Sequence, residues 1–145
     1  MKQFYLLTIM YFMTTWSLVG QERHPLKVVV NNLKSNNGQI GVLIFDRSEG
    51  YPNNPDLAVA QKFVSAMRGV EIVFDDIAYG SYVITIMHDE NNNGQMDQDF
   101  FGRPKEGHGV SNDPPNSTFG PPRYASGLIK YDAQNHKASI RMRYD

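Results

Sequence analysis

The chain of 145 residues contains no cysteine. That absence excludes disulfides, thiolate metal centres, a cysteine nucleophile and a lipid-modified N-terminal cysteine. An excess of charge of one sign is missing too. Fourteen Lys plus Arg stand against fifteen Asp plus Glu, and the basic residues scatter from Arg23 to Arg143. Without a basic patch there is no electrostatic footprint for nucleic acid or for an anionic membrane. No apolar run approaches the ~20 residues that cross a bilayer. The patterns G-x-S-x-G, H-E-x-x-H and the phosphate loop do not occur, so the expectation is a protein that is not an enzyme. A nucleophile and base made from Ser111 and a histidine would rest on composition alone.

What is present begins with "MKQFYLLTIMYFMTTWSLVG", where Lys2 precedes an apolar stretch from Phe4 to Met13 and the more polar Thr14 and Thr15. This is the charged-then-apolar order of a secretory signal. We expect residues 1–20 to be cleaved near Gly20 and Gln21. Residues 21–145 then form one domain, exported to the periplasm or the cell exterior and not inserted in a membrane. Removing the signal takes away only Lys2, which leaves 13 basic and 15 acidic residues, a net of −2. The length suits one hydrophobic core. With disulfides excluded, that core has to hold the fold, with a metal as the available help.

Beyond the signal, "PLKVVVNNL" and "GQIGVLIFD" are β-branched runs joined through Asn37-Gly38, which reads as a hairpin. Ile40, Val42 and Ile44 alternate with Leu43 and Phe45, so the second run is expected to be a central strand covered on both faces. "RSEGYPNNPD" is a surface loop. "LAVAQKFVSAMRG" fits either a short helix or an irregular edge strand. "VEIVF", the turn "DDIAYG" and "SYVITIM" read as a second hairpin. "YASGLIKYD" and "HKASIRMRYD" read as two further strands, the last with Ala138, Ile140, Met142 and Tyr144 on one face. Between them residues 101–123 carry four glycines and five prolines, too many for a helix interior or a central strand. The fold class expected is all-β: an antiparallel β-sandwich of about seven short strands, immunoglobulin-like or prealbumin-like, with one long irregular Gly/Pro-rich loop.

The segment "HDENNNGQMDQD" spends four carboxylates and three consecutive asparagines on one turn. Asp89, Asn91, Asn93 and Asp97 with Gly94 between them follow D-x-N-x-N-G-x-x-D, the first nine positions of a calcium loop. A hard cation takes six to eight oxygens, and alternate side chains of a sharp turn converge on one point. Gln95 would add its backbone carbonyl. Position twelve is Phe100 instead of a bidentate glutamate, so Asp99 or Glu106 has to stand in. The expected cofactor is therefore calcium, held by Asp89, Asn91, Asn93, Gln95, Asp97, Asp99 and Glu106. The plainer alternative is a solvated turn built on Asn93-Gly94. Zinc at His88, Glu106 and His108 is a third possibility.

Two resemblances add to this. "VFDDIAYGSYVITIMHDENNNG" resembles the two-strand signature of transthyretin-like and collagen-adhesin B-type modules, which implies that Tyr82 packs inward and Gly80 allows a tight turn. "IMHDENNNGQMDQDFFGRPKEGHGVSNDP" followed by "FGPPRYASG" resembles the bacterial secreted family catalogued as domain of unknown function 2141. The matching positions are His88, Asp89, Glu90, Asn91, Asn93, Gly94, Asp97, Gly102, Pro104, Lys105, Glu106, Gly107, Gly109, Ser111 and Asn112. His108 and Val110 take positions where that family places aromatics. The resemblance implies an exported β-rich domain and leaves its role open. The leading expectation is a non-catalytic binding or structural module with a calcium-stabilised loop from Asp89 to Asn112, acting on a protein or glycan partner. The alternative is a carbohydrate or small-ligand site that uses His108, Phe119, Arg123 and Tyr124 in the 101–124 loop.

Overall fold

The computed structural model describes residues 23–115, 117 and 120–144. The expected signal segment 1–20 and its cleavage point lie outside the described residues, as does Phe119. Eight strands follow one another: β1 (Arg23–Asn31), β2 (Gln39–Phe45), β3 (Ala60–Ser65), β4 (Glu71–Ala78), β5 (Gly80–Asp89), β6 (Gly107–Val110), β7 (Ile129–Tyr131) and β8 (Lys137–Arg141). A single helical turn, α1 (Tyr124–Gly127), precedes β7. The strands form two sheets, one in the order β4-β1-β8 and the other β3-β2-β5-β6, with β7 also paired to β5. Pairing is antiparallel except between β1 and β8, which run parallel from Lys27↔Lys137 to Asn31↔Arg141. The all-β sandwich is therefore as expected, with eight strands and one parallel pair among the described residues. The segment expected to be one irregular Gly/Pro-rich loop is corrected, since it contains β6, paired to β5.

Period-two alternation decides which residues meet between the sheets. Leu26, Val28 and Val30 of β1, Ile72 and Phe74 of β4, and Ala138 and Ile140 of β8 face Ile40, Val42 and Ile44 of β2 and Ile84 and Ile86 of β5. Each is at most 6% exposed. β2 lies between β3 and β5, the central position that its two apolar faces imply.

Both expected hairpins are corrected. β1 and β2 lie in different sheets, and so do β4 and β5. Alternating apolar residues suit pairing side by side or facing across a core equally well, and Asn37-Gly38 serves a crossover as readily as a hairpin. The "DDIA" stretch is strand and not turn; only Tyr79 separates β4 from β5. At that crossing the buried Tyr82 donates its hydroxyl to the Ala78 carbonyl at 2.8 Å. This is the way a tyrosine corner pins a strand that changes sheets. Segment 57–67 resolves to the edge strand β3. "YASGLIKYD" yields only three strand residues, because β6 already pairs with Thr85–His88 of β5 and leaves Gly80–Tyr82 for β7.

The two long seams of the sandwich differ. On one, His108 and Arg143 exchange backbone hydrogen bonds at 3.0 and 2.8 Å, which laces β6 to the chain following β8. On the other, β3 and β4 are both edge strands. They are clipped by the Lys62 ammonium, which donates to the Val73 carbonyl and lies over the Phe74 ring.

Candidate functional site

The polar turn grows out of the C-terminal end of β5. Asp89 is the last residue of that strand, opposite Gln39 at the start of β2. Its carboxylate is fully buried. One oxygen accepts from the Gln39 side chain at 2.7 Å and from the Gly94 amide at 2.8 Å, and the other from the Asn93 amide at 3.0 Å. Burial opposes ionisation of Asp89, yet the hydrogen bonds from Gln39 and from the Gly94, Asn93 and Asn92 amides outweigh it, holding its pKa below the ordinary carboxylate value.

Further along, each side chain braces the next. Asn91 Oδ1 accepts from the Asn93 amide at 3.0 Å, and Asn93 Oδ1 accepts from the Gln95 amide at 2.8 Å. The side-chain amides of Asn91 and Asn93 both donate to the Asp97 carboxylate, at 2.7 and 2.9 Å. Asp89, Asn91, Asn93 and Asp97 thus form one connected group, as their spacing implies. Glu106, from beyond the next turn, completes it. Its two carboxylate oxygens accept from the Glu90 and Asp97 amides, each at 3.1 Å, and the residue is 6% exposed.

Asp99 is not brought to this group. It heads a separate tight turn, in which its carboxylate accepts from the Phe101 and Arg103 amides and pairs with the Arg103 guanidinium at 2.7 Å. The Arg103 hydrogen bonds hold its pKa low. Gln95 contributes its amide to the turn. Among the described residues, no three His, Asp or Glu side chains stand together as a metal-binding cluster.

The zinc reading fails on register. His88 pairs with Gly107 and Met87 with His108, so the two histidines point to opposite faces of the sheet. His88 is fully buried, with Nε2 2.7 Å from the Asn37 carbonyl and Nδ1 2.9 Å from the Tyr144 hydroxyl. A carbonyl can only accept, so Nε2 carries a proton. Ser111 is equally committed: its hydroxyl donates to the Gly127 carbonyl at 2.5 Å and accepts from the Ile84 amide at 2.9 Å. In the 101–124 loop, Tyr124 packs edge-on against Tyr51 with ring centroids 5.7 Å apart, and Tyr51 meets Phe45 in the same way at 6.0 Å. This places Tyr124 in the cover of the sheet's outer face.

Four residues of this region were not anticipated: Gln39 on Asp89, Tyr144 on His88, Ser35 on Glu90 at 3.1 Å, and Gly38. Gly38 has φ +72°, and a Cβ on it would lie 2.0 Å from the Asp89 carbonyl oxygen. Its glycine is the available signal, since it allows β2 to start directly against the base of the turn. At the tip beyond the turn, Phe100 and Phe101 are 96% and 78% exposed and pack edge-to-face at 5.5 Å, with Arg103 over the Phe101 ring.

These features define a two-sheet β-sandwich in which a buried aspartate and a returning glutamate organise a polar turn at the end of the central strand. The chain belongs to the bacterial family described as "Uncharacterized protein conserved in bacteria (DUF2141)", whose model matches residues 28–139, from β1 through the turn into β8. No curated protein and no solved structure matches the chain.

Proposed function

We propose that this is an exported, non-catalytic binding module in which calcium consolidates the turn that carries the Phe100–Phe101 tip. The observation that carries the calcium reading is electrostatic. Among the described residues, Asp89, Asp97 and Glu106 have no lysine or arginine partner. Their hydrogen bonds come from Gln39, two asparagine side chains and backbone amides, all of them neutral donors. Of the three, Asp89 and Glu106 are buried, and buried carboxylates are ordinarily paired with a cation or coordinate a metal. The donor chemistry fits calcium, which takes carboxylate, amide and carbonyl oxygens. Asp89, Asn91, Asn93, Asp97 and Glu106 would hold it once their carboxylates are drawn together, since no three stand as a cluster among the described residues; Asp99 is committed to Arg103. When bound, the ion supplies positive charge and further ordering of the turn, with no part in bond-making. The commitment of His88 and Ser111 to structural hydrogen bonds supports the non-catalytic reading. The exposed aromatic pair supports a binding surface for a protein or glycan.

A calcium titration of the protein lacking residues 1–20, followed by thermal melting, tests this. Calcium at 100 times its dissociation constant stabilises a fold that alone binds it by about 2.7 kcal/mol, or several degrees for a domain of this size. Asp89→Ala removes the shift. Equal melts in chelator and in excess calcium overturn the calcium reading. A glycan screen in which Phe100→Ser with Phe101→Ser changes nothing bound by the parent overturns the role of the tip.

A further inference from the structure

The molecule carries a second apolar feature on the side of the sandwich where β3 lies. Four exposed large apolar residues, Leu57, Val59, Phe63 and Met67, fall within one short segment that includes β3, each between 42% and 58% exposed. They occupy odd positions. Within β3 the odd residues Gln61, Phe63 and Ser65 are exposed, while Ala60 and Val64 pack against the core. The main chain follows the same parity. Among the described residues β3 pairs only with β2, and the Ala66 amide donates to the Gly38 carbonyl across that pair. Backbone groups of successive residues in an antiparallel strand point to opposite neighbours. Within β3 the even residues are therefore spent on β2, and Gln61, Phe63 and Ser65 turn their N–H and C=O groups to the free edge; beyond its ends the Val59 amide donates to the Ile44 carbonyl and the Met67 carbonyl accepts from the Val70 amide. Unpaired edges of this kind are templates for a further strand, and proteins usually blunt them with an outward lysine. Here the lysine does not serve that edge. Lys62 turns across the seam to the Val73 carbonyl of β4.

We propose that β3 is a dimerisation edge that pairs antiparallel with β3 of a second copy, about a twofold axis at Phe63. The strand is self-complementary in this register. Phe63 faces Phe63 and Gln61 faces Ser65 in the ladder, and the side chains of Val59 and Met67 adjoin just beyond its ends; on the inward side Lys62 faces Val64 and Ala60 faces Ala66. No opposed pair carries like charges, and apolar meets apolar at Phe63–Phe63, Val59–Met67 and Ala60–Ala66, with Lys62 opposite Val64 the exception; these are conditions for favourable cross-strand pairs. Side chains share a face only with partners of the same parity, so the neighbouring twofold registers are centred on Lys62 or Val64. The first opposes two lysines; the second sets Phe63 against Ser65 and Met67 against Gln61. The Phe63 ring lies over Gly41 of β2, its nearest atom 2.7 Å from where a Cβ would be. Twofold pairing of identical patches is the commonest way a soluble chain dimerises, and it would join the two β3-containing sheets into one.

Sedimentation of the protein lacking residues 1–20 tests the proposal, with a dimer expected in the micromolar range. Gln61→Glu with Ser65→Glu sets two pairs of like charges face to face and raises the dissociation constant roughly tenfold. Gln61→Lys with Ser65→Glu makes the same pairs opposite in sign and restores association. Both changes are on exposed positions, and circular dichroism melts serve as the check on folding. In this cysteine-free chain, oxidised Phe63→Cys is expected to form a cross-linked dimer, whereas Gln61→Cys, displaced from the axis, is not. A parent that stays monomeric up to about 100 µM, or a dimer equally stable in both charge variants, overturns the proposal.

Discussion

Glu106→Ala is the sharpest probe of how the turn is held. Glu106 accepts from two amides of a segment nine to sixteen residues earlier in the chain, each at 3.1 Å. Charge-assisted hydrogen bonds usually run shorter, about 2.7–2.9 Å, so these two belong at the weaker end of the ~1.5–3 kcal/mol expected for bonds to a charged group. Truncation also leaves the Glu90 and Asp97 amides without their acceptor, but both residues are partly exposed and water can reach them. We expect a loss of roughly 2–3 kcal/mol, which lowers the melting temperature by roughly 6–12 °C for a domain of this size. A ceiling operates as well. If the turn detaches while the two sheets stay packed, the global loss cannot exceed what the turn contributes to the sandwich, and the remainder appears as local opening. Hydrogen exchange separates the two. The Glu90 and Asp97 amides should exchange faster in the variant, while those of Val42 and Ile86 follow only the global change. Glu106→Gln keeps one acceptor and falls between. A variant that melts within about 1 °C of the parent, with unchanged exchange at Glu90 and Asp97, would refute the reasoning.

Asp89 has a depressed pKa when folded, so its contribution is present above the unfolded value near 3.9 and is lost as pH falls through the lower folded value. The gap in melting temperature between the parent and Asp89→Asn should therefore be full at pH 6 and shrink below about pH 4; a gap independent of pH down to 3 counts against it. Gly38 and Gly69 both have positive φ, but a Cβ on Gly38 meets backbone of Asp89 and Glu90 while one on Gly69 meets nothing within 4 Å. Gly69→Ala should cost about 1–2 kcal/mol and Gly38→Ala clearly more, as measured by denaturant midpoints; equal losses would refute the close approach. Tyr82→Phe removes the donor to the buried Ala78 carbonyl and should cost about 1–2 kcal/mol, whereas Tyr51→Phe, whose hydroxyl donates to the Pro122 carbonyl of a surface loop, should cost less in the same denaturant series.

The fold class was legible because alternation is a local signal. Val28 and Val30, Ile72 and Phe74, Ile84 and Ile86, and Ala138 and Ile140 all point inward in the structure as their spacing implies. Strand partners were not legible, because pairing is a long-range choice. Every one of these strands presents one apolar face, and a face of that kind is satisfied whether its sequence neighbour lies beside it or across the core. The parallel β1–β8 pair joins residues more than a hundred positions apart, and no local pattern announces it. The "DDIA" stretch misleads for a related reason. Two aspartates and a following Tyr-Gly look like a turn, yet Asp75 and Asp76 are on the exposed part of β4, while Ile77 and Ala78 already turn back into buried positions.

The site divides along the same line. Asp89, Asn91, Asn93 and Asp97 come together because a tight turn makes neighbours of alternate residues, so spacing alone predicts their meeting. Asp99 and Glu106 looked equivalent as completing ligands, and the structure separates them through one competitor. Arg103 sits four residues after Asp99, close enough to form both an ion pair and a backbone turn with it. A local partner is reached at little cost in chain entropy, whereas joining the distant group requires ordering the segment between. Glu106 meets no such competitor. Its strand neighbour Gly107 lies beneath the Tyr144 ring, where a Cβ would come within 2.3 Å, and Tyr144 in turn holds His88, the residue before Asp89. The placement of Glu106 therefore depends on a glycine that admits an aromatic ring and on an aromatic ring that reaches a buried histidine. Gly107, Tyr144 and His88 are each conspicuous in the sequence, but nothing local says that they touch. That contact is made only once β6 has paired with β5.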